Sequence, residues 1–233
     1  MKLLALDTST DACSAAVYAD GAVHERFELA PRRHARLILP MAHELLQACG
    51  LALSDLDALA FAAGPGSFTG VRIATAVVQG LAMGARLPVI AVSTLAAVGQ
   101  AASDMACRPA VAVALDARMG EVYFALYRRG DQGWMRLEGE ERVCAPDAVP
   151  APAAGEWFGA GTGWRAYGAA LSKRLSPAVV AVDAEIYPRA RHVARLAVHG
   201  FEHGRLLAPA QAVPNYVRDS VVRAAPLRHR DTP

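Results

Sequence analysis

Nine residues, Gly64-Pro65-Gly66-Ser67-Phe68-Thr69-Gly70-Val71-Arg72, constrain this 233-residue chain more than any other stretch. An apolar run, Leu56 to Ala63, leads into them and a helical pattern, Ile73 to Met83, leads out. Three glycines and a proline at a strand-to-helix junction require a tight loop that other backbone or a ligand approaches closely. Ser67 or Thr69 is placed to cap the following helix by accepting from its first free amides. Such amides favour an anion, so two readings stand open: a phosphate site, or a turn that docks one helix tightly on a sheet. The familiar loop signatures do not fit. No Gly-Lys-Ser/Thr is present, and the third glycine comes one residue late for Gly-x-Gly-x-x-Gly. Pro65 and Phe68 stand where the glycines of a nucleophile elbow belong.

Upstream, Leu3 to Leu6 reads as a buried strand ending in Asp7-Thr8-Ser9-Thr10. Cys13 to Tyr18 reads as a second strand, and Asp20-Gly21 turns the chain into a third, Ala22 to Leu29. Arg32 to Ala48 is amphipathic, with Leu37, Ile38, Met41, Leu45 and Leu46 at helical spacing. Pro40 predicts a kink there, or a start nearer Leu37, and His34 and His43 are expected to face solvent or cap. On the helix after the glycine loop, Val71, Ala74, Val78 and Leu81 follow one apolar line, and Gly70, Gly80 and Gly84 keep the surface narrow. Pro88 to Val92 is a short buried strand, and Ser93-Thr94 caps a helix through Ala102. Three strands, helix, strand, helix, strand is the order of the ribonuclease H-like half of actin, hexokinase and Hsp70-type proteins.

From Asp104 to Pro109 the composition reads as a linker, after which a second strand-rich unit begins. Ala110 to Leu115 and Glu121 to Tyr127 form a hairpin about Asp116-Ala117-Arg118-Met119-Gly120, and Trp134 to Leu137 is a further strand. Gly159-Ala160-Gly161-Thr162-Gly163 is a strand-to-helix turn, opening a helix from Trp164 to Leu175. Ala178 to Val182 is expected as a buried strand, Pro188 opens a helix through Glu202, and the prolines and charges from Ala224 onward read as a tail.

Composition narrows the classes. An apolar share of 54% supplies ample core for one or two modest domains. The net charge of +2 gives no overall basic field, so tight autonomous RNA binding is not indicated. Cys13, Cys49, Cys107 and Cys144 form no Cys-x-x-Cys pair and fit buried free thiols in a reducing cytosol. Asp7 cuts the apolar start, and Arg72, Gln79, Arg86 and Pro88 interrupt the longest apolar region, so a cytoplasmic, soluble protein is expected.

As a whole string, Gly64 to Arg72 closely resembles the Gly-Pro-Gly-Ser-Phe-Thr-Gly-x-Arg signature of the TsaB family, bacterial tRNA threonylcarbamoyladenosine biosynthesis proteins once grouped as glycoprotease-like. Leu3 to Thr10, Asp116 to Tyr123 and Pro214 to Arg218 carry the resemblance less strongly. It implies an α/β protein of two ribonuclease H-like (actin/Hsp70-type) subdomains, the second smaller and degenerate. Residues 1–103 would form the first and 104–187 the second. Residues 188–223 would pack back on the subdomains, and 224–233 would be a tail. The resemblance also implies a non-catalytic scaffold or activator. It would pair with TsaD, which carries the metal on a His-x-x-x-His pair and transfers the threonylcarbamoyl group to the adenosine beside the anticodon of tRNAs reading A-starting codons. The ATPase TsaE joins them. ATP or ADP and the metal would belong to the assembled complex, the isolated chain could form a homodimer, and direct contact with tRNA stays open. By the same resemblance the partner face lies on the two N-terminal helices, with Leu37, Ile38, Met41, Val71, Ala74 and Val78 as candidates. Asp7, Thr8 and Ser9 would be a vestigial nucleotide loop, and Gly64, Gly66, Ser67, Thr69, Gly70 and Arg72 a structural loop.

Two stand-alone enzymes compete. An actin-fold ATPase or kinase would use Asp7 and Asp116, but the second hairpin offers a phosphate only Gly120, with Arg118 and Met119 crowding it. His199-Gly200-Phe201-Glu202-His203 spells His-x-x-Glu-His, the string of a zinc peptidase. Gly200 and Gly204 weaken the helix there, and no Glu follows to act as third ligand. A histidine-stabilised helix end explains the string instead.

Overall fold

The computed structural model describes residues 1–217. The first unit runs β1 (Lys2–Asp7), β2 (Ala12–Ala19), β3 (Ala22–Leu29), α1 (His34–Ala48), β4 (Ala58–Gly64), α2 (Phe68–Ala85), β5 (Val89–Ser93) and α3 (Thr94–Ala106). The second runs β6 (Ala110–Arg118), β7 (Glu121–Arg129), β8 (Met135–Cys144), β9 (Trp157–Ala160), α4 (Thr162–Leu175), β10 (Val179–Asp183) and α5 (Ala190–Glu202). The sheets are ordered β3-β2-β1-β4-β5 and β10-β9-β6-β7-β8. In each, three antiparallel strands are followed by two that join in parallel, so the second sheet repeats the first. The second unit therefore keeps all five strands. What it lacks is a counterpart of α1: between β8 and β9 the chain is irregular, rich in Pro and Ala.

Each sheet is covered on both faces, which is why β1 and β4 are near-continuous apolar runs. α1 and α2 cover one face of the first sheet, around Leu4, Leu6, Leu59 and Phe61. Its other face is covered by α5, through Val193, Ala194 and Ala197. α3, although it follows the first sheet in sequence, sends Leu95, Val98 and Ala102 into the core of the second, against Val111 and Val113. α4 closes the remaining face beside Trp157 and Trp164. The closing helices are thus exchanged between the sheets. The exchange is tied at Asp104, which accepts from Gln100 on α3, Arg129 on β7 and Arg195 on α5.

Several sequence expectations are corrected. Residues 104–106 are the last turn of α3, not linker. α1 begins at His34 and carries Pro40 within it. His34 is buried, its Nε2 without a partner among the described residues, while His43 is exposed. β10 is an edge strand with Val180 and Val182 half-exposed, and Cys107 is an exposed thiol. α2 is long and apolar enough to cross a membrane, yet Ala74, Val78 and Ala82 along it are packed into the first core and Val71 is buried.

Candidate functional site

Between the two sheets lies a cleft of about 540 Å³, bounded by Ser9, Ser67, Asp116, Arg118, Thr162 and Tyr216. Four strand ends and the C-terminal segment meet here, at the place where open α/β sheets hold their ligands.

The first wall is the turn after β1 set against the glycine loop. Asp7 is fully buried; its Oδ1 accepts from the amide and the hydroxyl of Ser9, both at 2.7 Å, and its Oδ2 has no partner. Burial pushes the Asp7 carboxyl up to about 6, against the opposing pull of its two bonds from Ser9. Thr8 donates its hydroxyl to the Gly70 carbonyl at 2.7 Å, and the Ser67 amide donates to the Ser9 carbonyl at 2.7 Å. A Cβ on Gly66 would stand 2.4 Å from the Ser9 carbonyl oxygen, and one on Gly70 2.0 Å from that of Thr8. The glycines thus serve close approach of the chain's own backbone. Ser67 is the cap of α2, accepting from the Gly70 amide at 3.4 Å, and Thr69 lies inside the first turn.

Gly64, at φ +112°, lets the C-terminal segment pass: its Cβ would meet the Asn215 carbonyl oxygen at 2.8 Å, while the Asn215 amide donates to the Ala63 carbonyl. Arg72 completes this wall. Its Nε donates to the Tyr216 hydroxyl at 2.8 Å and its guanidinium lies over the Phe68 ring, 3.3 Å from the centroid. Position 218 of the run Pro214 to Arg218, and the C-terminal tail, lie outside the described residues.

The second wall is the β6–β7 hairpin. Asp116 is engaged by the Arg118 amide at 2.8 Å and guanidinium at 2.9 Å, and its own amide donates to Thr162. Arg118 and Met119 adopt positive φ beside Gly120, so two bulky side chains occupy the turn. A Cβ on Gly161 or on Gly163 would stand 2.6 or 2.9 Å from the Ala114 carbonyl oxygen, which makes Gly159 to Gly163 a docking turn for α4. Arg165, Tyr167 and Tyr187 also border this region, and no sequence motif singled them out.

These residues do not fit a metal-bridged phosphate clamp. The Thr8 and Ser9 hydroxyls are committed to Gly70 and Asp7, the Asp7 carboxylate is sealed beneath them, and Asp116 is paired with Arg118. Phosphoryl transfer needs donors and metal-holding carboxylates turned toward the transferred group. His199 and His203 do stand at His-x-x-x-His spacing, but their rings pack on each other with centroids 4.2 Å apart, and His203 Nδ1 faces the His199 carbonyl. Among the described residues no three His, Cys, Asp or Glu side chains are grouped to hold a metal.

The partner-face candidates need correction by residue. Ile38, Met41, Ala74 and Val78 are buried in the first core, Val71 is buried beside the cleft, and Leu37 is half-buried against that core. Their spacing marks the side of each helix that faces the sheet. The outward side of α2 begins with the exposed Phe68, Thr69 and Arg72 and continues as Ala76, Gly80, Met83 and Gly84, flanked by half-buried Ile73 and Val77. Among the described residues nothing lies within 4 Å of a Cβ placed on Gly80 or Gly84.

A family model described as "TsaD: tRNA N6-adenosine threonylcarbamoyltransferase" matches residues 16–225. The "tRNA threonylcarbamoyladenosine biosynthesis protein TsaB" of Escherichia coli (strain K12) is 44% identical over 95% of this chain and 96% of its own length. The chain belongs to the TsaB family. A TsaB protein from Haemophilus influenzae is 41% identical over 95% of each chain. The solved "YeaZ from Pseudomonas aeruginosa" superposes with a TM-score of 0.87 at 47% identity, covering 92% of this chain and 99% of that one. The actin-like, ribonuclease H-like fold of two α/β units is the fold of this TsaB-family chain.

Proposed function

We propose that this TsaB-family chain is a non-catalytic scaffold or activator in the formation of N6-threonylcarbamoyladenosine beside the anticodon of tRNAs. It acts by pairing with TsaD and, through that pair, with TsaE. One observation carries the reading: the residues that would clamp a nucleotide are spent on internal bonds, while α2 leaves an apolar, small-residue side uncovered. That side, from Ala76 through Gly84, admits another helix at close range because the two glycines add no bulk. Leu39 on α1 is 47% exposed and Met83 66%, and both gain by being covered. ATP or ADP and the metal then belong to the assembled complex, tRNA is the substrate of that complex, and its place is the cytoplasm. A second copy of this chain would occupy the same helix side when TsaD is absent.

The test is Gly80→Arg, which places a charged, bulky side chain where nothing stands within 4 Å. The variant is expected to keep the wild-type circular dichroism and melting temperature and to lose pull-down of TsaD by at least tenfold. A folded Gly80→Arg chain that captures TsaD as well as the wild type overturns the assignment.

A further inference from the structure

A second cleft, of about 620 Å³, opens where the free side of β5, the β7–β8 turn and the end of α5 meet. Its lining includes Trp134 and Arg136 from β8 and the turn before it, His199 and His203 from α5, and Arg205 just beyond. The His199 ring is stacked on Trp134 with centroids 5.4 Å apart, and Arg195, one turn earlier on α5, lies 5.9 Å from the same indole. Arg195 is neutralised by Asp104 at 2.9 Å. Arg136 and Arg205, both exposed, have no ion-pair partner among the described residues.

Neither arginine is paired with a carboxylate nearby. Glu141 also lines the cleft, but it is engaged by the Ser93 and Tyr127 hydroxyls and by Asn215. Glu202 is exposed on α5. Both arginines are felt by His199, whose proton affinity is lowered by burial and then by His203, Arg205 and Arg136, with Glu202 opposing. Two guanidinium groups without an ion-pair partner beside an aromatic stack suit a ligand with an anion next to a planar ring.

We propose that this cleft binds a nucleotide unit of a single RNA strand, its phosphates at Arg136 and Arg205 and its base against the Trp134–His199 pair. Phosphate-binding arginines beside a stacking platform are the elements of single-strand recognition. The choice of RNA over other anionic aromatic ligands rests on the function proposed above. Two cations make a weak contact, in keeping with a net charge of only +2, and suit a subunit that holds a substrate presented by a larger complex.

Trp134 is also a built-in reporter, because the other two tryptophans, Trp157 and Trp164, are buried. The experiment titrates the full chain with a single-stranded hexaribonucleotide at low salt and follows tryptophan emission. Saturable quenching is expected, with affinity falling against salt at a logarithmic slope of about 1.4 for two phosphate contacts. Arg136→Glu with Arg205→Glu should weaken binding at least tenfold, and Arg136→Lys with Arg205→Lys should restore most of it. Melting curves of the variants separate lost binding from lost fold, and Trp134→Phe should remove the quench. No quenching and no change in the anisotropy of a labelled hexamer would overturn the proposal, as would binding unchanged in the double Glu variant. Adenosine monophosphate binding as tightly as the hexamer would assign the cleft to a free nucleotide and overturn the RNA reading. TsaD pull-down by the same proteins is scored apart: wild-type chain that fails to capture TsaD counts against the scaffold reading, while the titration alone decides the RNA cleft.

Discussion

Gly70 and Gly80 occupy the same helix and answer to different neighbours. A Cβ on Gly70 would stand 2.0 Å from the Thr8 carbonyl oxygen, and backbone on both sides leaves little room to yield. Gly70→Ala is therefore expected to lower stability by about 1–3 kcal/mol or more, read from the urea midpoint. Gly80→Ala meets open space in a helix interior, and the gain in propensity should raise stability by up to about 1 kcal/mol. Equal midpoints for the two variants would contradict the docking role given to the loop. Two buried titrating groups give a pH test. The Asp7 carboxyl, raised to about 6, makes the folded state hold a proton that the unfolded chain releases near 4, so its contribution falls as pH rises between those values. His192, lowered to about 4 chiefly by burial, acts oppositely: the unfolded chain takes up the proton first, near 6.5, so its contribution is lost as pH falls from there to about 4. The windows overlap and the slopes oppose, so the wild type should be nearly flat from pH 4 to 6. Asp7→Asn should uncover a rise with pH, approaching about 1.4 kcal/mol per pH unit, and His192→Gln a fall. Urea titrations across that range check both signs; two variants that stay as flat as the wild type would show that neither group is linked to folding.

At the scale of elements, apolar period together with caps and turn residues located the five α-helices, because these are local properties of the chain. It could not assign their faces to core or partner. On α2 the line Val71, Ala74, Val78 is the stripe a sheet requires, while the opposite side is nearly as apolar, so sequence offered two stripes and no way to rank them. The structure ranks them, and the ranking decides what a substitution on each side does. Ile38→Glu and Val78→Glu, each placing a carboxylate at a fully buried position in the first core, should abolish the cooperative melt followed by circular dichroism. Ala76→Glu, on the exposed side, should leave the melting temperature within a few degrees of the wild type. A folded Val78→Glu chain would mean that this core tolerates a buried charge. The glycine loop was legible as tight docking or anion site, and the difference turned on where the Thr8 and Ser9 carbonyls stand, sixty residues earlier in the chain. Which sheet α3 and α5 serve was likewise unreadable, since each helix crosses to the other unit.

At the scale of the molecule, the succession of strands and helices in the first unit was legible as a pattern, but the closure of the cleft was not. Closure depends on contacts between the first unit and residues more than a hundred positions away. Beyond α5 the chain runs back along the first unit: Leu207 bridges Val89, the Ala212 carbonyl accepts from Gln79, the Asn215 amide donates to Ala63, and Tyr216 accepts from Arg72. The Asn215 side chain also donates to Glu141 on β8, so this strap touches both sheets. It covers the glycine loop and forms part of the cleft wall through Asn215, Tyr216 and Val217. A chain ending at residue 217 keeps all of these bonds, whereas one ending at 208 loses every bond made by Ala212, Asn215 and Tyr216. Each lost hydrogen bond is worth about 1 kcal/mol, and Ala212 also leaves the first core. The shorter chain is therefore expected to melt several degrees below the longer one. Its amide exchange should rise at Phe68 to Arg72, the segment Arg72 ties to Tyr216, and stay unchanged in β6 and β9 of the second sheet. Equal protection of the Phe68 to Arg72 amides in the two chains would show that the loop is held by Thr8 and Ser9 alone, and that the strap closes the cleft without steadying it.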